Sequence, residues 1–116
     1  MIFTLNAADA ARNALAAHAA GKLTAQSTNP VCIYEDSNTG CHCAIGVSFP
    51  PELHTNIQSR GWGASRIVSL IAYSCLQTDN IDALTEIQSA HDAWCSHPHN
   101  KRLEERFLTV CKELAE

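Results

Sequence analysis

Three of the six cysteines fall in one short segment, and their thiols are the first candidates for chemistry in this chain. Cys32, Cys41 and Cys43, together with His91, offer four side chains of the types that hold a tetrahedral zinc ion. Cys43 and His91 are also the two kinds of group that a thiolate nucleophile needs. The sequence therefore raises two questions, whether these residues bind a metal and whether they catalyse a reaction.

The spacing of the cysteines favours a structural role over both kinds of chemistry. Structural zinc sites usually use C-x2-4-C pairs, whereas Cys41 and Cys43 form C-x-C within a predicted strand. Cys43 also does not begin a helix, where its thiol pKa would be lowered. We expect buried apolar cysteines, no metal and no cofactor. A disulfide and a zinc site of Cys32, Cys41, Cys43 and His91 remain the alternatives.

Motifs that identify common enzyme classes are missing from the sequence. It contains no Walker loop, no G-x-G-x-x-G fingerprint and no H-E-x-x-H pair. The residues also suggest no oxyanion hole and no located pair of catalytic carboxylates. We therefore expect a protein that is not an enzyme.

Partner binding is the function that the remaining polar and aromatic residues favour. Trp62 lies between two glycines, and Trp is the residue type most enriched at binding hot spots. Asp79, Asp82 and Glu86 follow one face of a predicted helix. We predict these four residues as the partner-binding set. The alternatives are that Trp62 folds back onto the core and that the acidic face is only solvated.

A β-hairpin is predicted around the clustered cysteines. Residues 31–36 and 41–47 are rich in β-branched and aromatic types, and the turn-forming residues 37–40 separate them. A four-residue loop pairs Asp36 with Cys41. Alternation then places Cys32, Tyr34, Cys41, Cys43, Ile45 and Val47 on one face and Val31, Ile33, Glu35, His42, Ala44 and Gly46 on the other.

Helices are predicted before and after the hairpin. Asn6 begins the first, an alanine-rich helix that ends near Gly21, and its inner stripe is Ala11, Ala14, Leu15 and His18. Later helices are predicted over residues 52–59 and 66–76, and from Asn80 and Asn100 onward. The result is an α+β fold of one domain, residues 1–116, in which one hairpin packs against four or five α-helices in the order α-β-β-α-α-α.

Charge and hydropathy limit the classes of partner. The net charge is −4, and the eight basic residues are scattered, so no footprint for a nucleic-acid backbone is expected. No apolar stretch has the length of a membrane-spanning helix, and no basic region followed by an apolar run marks a signal peptide. We expect a cytoplasmic protein that binds neither nucleic acid nor membrane directly.

Two segments resemble a family of small proteins from bacteriophages and prophages. The first is the hairpin pattern formed by Cys32, Tyr34, Gly40, Cys43, Ala44, Ile45 and Gly46, where that family carries a C-A-I-G-x-L-I-P segment. The second is Ile87–Trp94, which resembles the family's later L-Q-x-x-H-D-x-W helix. The chain departs from the pattern at residues 47–49 and at Ile87.

The resemblance implies a biological setting and no catalytic residue. Small acidic phage proteins often bind and block a host defence protein, such as a CRISPR effector subunit or a nuclease, in the host cytoplasm. The function expected from this setting is that of an anti-CRISPR-type inhibitor. One alternative is a structural or regulatory phage protein, which could form a homodimer through the first helix. The other is a zinc- or thiol-dependent protein.

Overall fold

Helices and short strands combine in an α+β fold, which confirms the predicted fold class. The computed structural model describes residues 2–116. In this part of the chain, five α-helices accompany two separate two-stranded sheets. The elements are β1 (Phe3–Thr4), α1 (Ala7–Ala19), β2 (Glu35–Asp36), β3 (Cys41–His42), α2 (Pro51–Ser59), α3 (Ile67–Ala72), β4 (Leu76–Gln77), α4 (Ile81–Ser96) and α5 (Lys101–Ala115).

The three long helices α1, α4 and α5 pack together and form much of the core. Alanine side chains allow α1 to lie close to its neighbours, and its buried residues are Ala7, Ala10, Ala11 and Ala14. Of the predicted stripe, Ala11 and Ala14 are buried as expected, whereas Leu15 and His18 are only partly buried, because the buried face extends one turn towards Ala7 instead. His18 lies at the edge of the contact, where its Nε2 is 2.8 Å from Oε2 of Glu104 on α5.

Asparagine side chains begin α4 and α5, as the sequence predicted. The side chain of Asn80 accepts a hydrogen bond from the Ala83 N–H at 3.0 Å. Asn100 accepts in the same way from the N–H of Arg102 at 3.0 Å and of Leu103 at 3.3 Å. These bonds satisfy backbone donors that the first turn of a helix leaves without an intrahelical acceptor.

The hairpin has the predicted register but much shorter strands. Asp36 lies opposite Cys41 and Glu35 opposite His42, in antiparallel pairing. The loop closes on Asp36, whose carboxylate accepts hydrogen bonds from the N–H of Asn38 and the hydroxyl of Thr39. The predicted strands over 31–36 and 41–47 were wrong in length, because regular pairing stops at Glu35 and His42.

A buried turn replaces the predicted second half of the hairpin. Residues Cys43, Ala44 and Ile45 are fully buried, and a short 3-10 turn follows at Gly46–Ser48. Within the turn, the Cys43 sulfur accepts a hydrogen bond from the Gly46 N–H at 3.2 Å. The Gly46 carbonyl accepts one from Nε2 of His54 on α2, at 2.8 Å. The turn therefore connects the hairpin to α2.

Gly46 is required in this turn by a close backbone approach. A Cβ atom at Gly46 would lie 2.1 Å from the Tyr34 carbonyl oxygen, far inside van der Waals contact. The φ angle of Gly46 is not in the left-handed region, so the requirement is space rather than conformational freedom. We call this contact between Gly46 and the Tyr34 backbone the Gly46–Tyr34 junction.

The segment between α3 and α4 differs from the predicted single helix over 66–76. Helix α3 ends at Ala72, and Ser74 takes a positive φ of 59°. The next residues form β4, which pairs in parallel with β1, placing Phe3 opposite Leu76. This second sheet was not predicted, because strands of two residues show too little alternation to be recognised.

We predict that Gly46→Ala destabilises the fold by about 3 kcal/mol or more, because the methyl group must displace backbone atoms rather than a flexible side chain. The matched control is Gly63→Ala, since a Cβ at Gly63 meets no atom within 4 Å. That variant should keep its free energy of unfolding within about 0.5 kcal/mol. Urea denaturation measures both, and equal effects would contradict the junction.

Candidate partner-binding surface

Trp62 is ordered by stacking and is only partly buried. Its ring stacks on Tyr73, with 4.2 Å between centroids and 21° between planes. The Arg60 guanidinium lies 5.1 Å from the same ring centroid. Tyr73 is 46% exposed, so the pair presents aromatic surface to solvent while its inner side contacts the core. We call Arg60, Trp62 and Tyr73 the aromatic patch.

A groove of about 280 Å³ continues from the aromatic patch, since its lining residue Gly63 directly follows Trp62. Its lining includes Cys32, Ile33 and Tyr34, and the side of α4 that carries Thr85, Gln88, Ser89 and Asp92. Residues 63–68 complete the lining, and Val68 among them is 43% exposed.

Hydrogen bonds from Tyr34 join two of the segments that line the groove, residues 32–34 and residues 63–65. Its backbone N–H donates to the Gly63 carbonyl at 3.0 Å, and its hydroxyl donates to the Ser65 carbonyl at 2.5 Å. Burial of the ring raises the pKa of the Tyr34 hydroxyl far above its usual value, so the hydroxyl remains a donor. The shape of the groove is therefore set in the free protein.

The predicted acidic residues divide into two groups. Asp82 and Glu86 are exposed on α4, one helical turn apart, and neither makes a side-chain hydrogen bond among the bonds described for residues 2–116. Asp79 has a structural contact instead. Its Oδ1 accepts a hydrogen bond from the N–H of Ala7 at 2.9 Å, while Asn6, the predicted cap of α1, makes no side-chain capping bond.

The alternative zinc set of Cys32, Cys41, Cys43 and His91 is not brought together. Cys32 is exposed and lies beside Cys95, whereas Cys41 and Cys43 are buried in the hairpin and turn. Across residues 2–116 the cysteines are free thiols, so the disulfide alternative has no counterpart in the structure. The predicted common face of Cys32 and Tyr34 was wrong, because β2 begins only at Glu35, and Cys32 is exposed whereas Tyr34 is buried.

His91 is a core histidine. It is fully buried, and its ring contacts Phe107 and Trp94 edge to face. Its ring nitrogens make two long polar contacts, with Thr24 Oγ1 at 3.5 Å from Nε2 and Asp92 Oδ1 at 3.4 Å from Nδ1. Among the described hydrogen bonds, none joins His91 to Cys43, whose sulfur faces the Gly46 N–H.

Tyr73, a further histidine cluster and the groove itself were not anticipated from the sequence. Tyr73 lies inside the helix predicted over residues 66–76, and no spacing signal there pairs it with Trp62. Glu35, His42 and His54 lie together although they belong to β2, β3 and α2. A signal for the first two was present, because the predicted register already placed Glu35 and His42 on one face.

The small residues of α1 were suggested as a homodimer contact, but in the structure they pack against other helices of the same chain. Ala10, Ala11 and Ala14 have no exposed surface, because α5 and α4 cover this face of α1. A homodimer would therefore need another surface, such as the aromatic patch.

Comparisons of this chain with protein-family models, with curated proteins and with solved structures found no match. Among residues 2–116, no helix combines the length and apolar character that crossing a membrane requires.

We predict that Asp79→Ala lowers the free energy of unfolding by about 1 kcal/mol, the usual cost of losing a helix cap. Glu86→Ala, an exposed residue without a described side-chain hydrogen bond, is the control and should change it by less than about 0.5 kcal/mol. Chemical denaturation of the two variants measures the difference. Equal values would show that the bond from Ala7 to Asp79 contributes nothing.

Ionisation of Cys43 should make stability fall at alkaline pH. Desolvation by burial raises the pKa of this thiol to about 12, against an ordinary value of 9.0, although hydrogen bonds from the Gly46 and Ile45 backbone oppose the shift. Between these values the unfolded chain loses a proton that the folded protein keeps. The stabilisation is therefore complete below pH 9 and is lost as the pH rises towards 12.

The variant Cys43→Ala lacks this proton, so its free energy of unfolding should fall less steeply with pH. We expect a slope shallower by about 1.4 kcal/mol per pH unit above about pH 9.5, which corresponds to one proton. Denaturant unfolding at several pH values measures both slopes. Identical slopes would mean that Cys43 ionises as easily in the folded protein as in the unfolded chain.

Proposed function

We propose that this protein is a binding module of the anti-CRISPR type, which blocks a host defence protein such as a CRISPR effector subunit or a nuclease in the host cytoplasm. The observation that carries the proposal is the ordered, solvent-exposed pair of Trp62 and Tyr73 beside a preformed groove. The phage setting comes from the resemblance of residues 31–53 and 84–94 to phage and prophage proteins.

The composition of the aromatic patch supports a role in protein binding. Tryptophan, tyrosine and arginine are the residue types most enriched among binding hot spots, and Arg60, Trp62 and Tyr73 supply all three. Their mutual stacking reduces the entropy that would be lost on binding, because the side chains are already in place. A partner loop that covers Tyr73 would gain from a surface that needs little rearrangement.

Charge determines the kind of partner surface that we propose. The chain carries a net charge of −4, and Asp82 and Glu86 are exposed on the helix whose neighbouring face lines the groove. A basic surface, of the kind with which a nuclease or effector subunit holds nucleic acid, would be attracted to this side. The protein would then compete with nucleic acid for that surface without binding nucleic acid itself.

The environment of the thiols supports binding over thiol chemistry. Cys43 has no exposed surface, and burial raises its pKa to about 12. The thiolate that a nucleophilic mechanism needs would be scarce near neutral pH. A structural or regulatory phage protein remains the second candidate, because the aromatic patch could equally bind a second copy of the chain.

The proposal is tested with purified protein and with cells that carry an active CRISPR–Cas system. Expression of the chain should reduce plasmid interference, and the purified chain should bind the purified effector directly. The charge reversal Asp82→Lys with Glu86→Lys should lower the association rate about tenfold at low salt, because it removes attraction to a basic surface.

The matched control is Glu105→Lys with Glu113→Lys, which makes the same change in net charge at two exposed positions of α5. This control should keep most of the association rate. The proposal fails if the chain leaves interference unchanged and does not bind the effector, or if both reversals have equal effects. A concentration-dependent dimer in sedimentation, lost in Tyr73→Ala, would favour the second candidate.

A further inference from the structure

Three metal-ligating side chains meet where the hairpin contacts α2. Glu35 comes from β2, His42 from the facing position of β3, and His54 from α2. One ligand atom from each lies within 4.8 Å of the others. None of these residues belongs to the cysteine set that the sequence suggested. The cluster therefore arises from the docking of α2 onto the hairpin.

The tautomer of His54 is set by its hydrogen bond to the Gly46 carbonyl. His54 is 4% exposed, and its Nε2 lies 2.8 Å from the Gly46 carbonyl oxygen, which can only accept. Nε2 must therefore carry the proton, so Nδ1 has a free lone pair. A backbone carbonyl that accepts from one ring nitrogen is the usual partner of a metal-bound histidine.

Nδ1 of His54 is buried and has no hydrogen-bond partner in the described part of the chain. An unsatisfied polar atom in this position costs free energy unless a ligand reaches it. The His54 and His42 rings lie 4.9 Å apart. Glu35 and His42 each place a ligand atom within 4.8 Å of a His54 ring nitrogen, and the Nδ1 of that ring lacks a partner among the described residues.

Glu35 is held in place by hydrogen bonds from both sides. Its Oε2 lies 3.1 Å from Nε2 of His42, and its Oε1 accepts a hydrogen bond from the Gln58 amide at 2.8 Å. Gln58 follows His54 by one turn of α2. The side chains of Glu35 and His42 are 29% and 26% exposed, so water reaches one side of the cluster.

We propose that Glu35, His42 and His54 form a binding site for a divalent transition-metal ion, with Zn²⁺ the best match. Two histidines and one carboxylate with an open position are a recurring zinc ligand set, in which water takes the fourth place. Zinc bonds of 2.0–2.2 Å put tetrahedral ligand atoms roughly 3.3 Å apart. The side chains of Glu35 and His42, which are only partly exposed, would therefore move inward, and the metal would replace their mutual hydrogen bond.

The proposal is independent of the partner-binding function, because the cluster shares no residue with the groove or the aromatic patch. Bound metal would join β2, β3 and α2 through three side chains. Because the unfolded chain does not hold these residues together, metal binding would stabilise the folded protein.

Co²⁺ titration of chelator-treated protein is the direct test, since cobalt reports its ligands by absorption. We expect saturation at one equivalent, visible d–d bands of a tetrahedral or five-coordinate ion, and no thiolate-to-cobalt charge-transfer band. Zn²⁺ should displace the cobalt and raise the melting temperature. Glu35→Gln and His42→Gln, both at partly exposed positions, should each weaken binding at least about tenfold.

The control is His97→Gln with His99→Gln, two exposed histidines outside the cluster, which should bind cobalt like the parent protein. Circular dichroism establishes that every variant is folded. Failure of the parent protein to bind Co²⁺ or Zn²⁺ would overturn the proposal. Unchanged affinity in Glu35→Gln and His42→Gln, or a thiolate band that Cys32→Ala removes, would also overturn it.

Discussion

The backbone of Gly46 lies so close to the Tyr34 carbonyl oxygen that no side chain fits between them, and much of the structure depends on this contact. On one side, the Tyr34 N–H and hydroxyl bind Gly63 and Ser65 and so shape the groove. On the other, the Gly46 carbonyl accepts from His54 and so orients its free nitrogen. Both candidate surfaces therefore rely on one short stretch of packed backbone.

Local sequence patterns correctly predicted much of the fold. The loop of residues 37–40 determined the hairpin register, because turn length fixes which residues face each other. Asn80 and Asn100 marked the beginnings of α4 and α5, since their side chains satisfy donors of their own first turn. Gly21, with a φ of 69°, ends the first helix as expected.

The rest depended on contacts between segments distant in sequence. The β-branched residues near Ile45 favour a strand, but the bond from the Gly46 N–H to Cys43 and the approach of Tyr34 favour a turn. Asp79 caps a helix that begins more than seventy residues earlier, which no local pattern reveals. Glu35 and His42 were correctly paired across the hairpin, while His54 joined them only through the docking of α2.

Native-state hydrogen exchange at the Cys43 and Gly46 amides tests the junction most directly. The Cys43 N–H donates to the Tyr34 carbonyl at 3.3 Å, and the Gly46 N–H donates to the Cys43 sulfur at 3.2 Å. If the junction holds the fold together, both amides exchange only by global unfolding, with the same free energy as the slowest amides of α4. Exchange through a local opening of much lower free energy would contradict this account, because the turn would then open while the helices stayed packed.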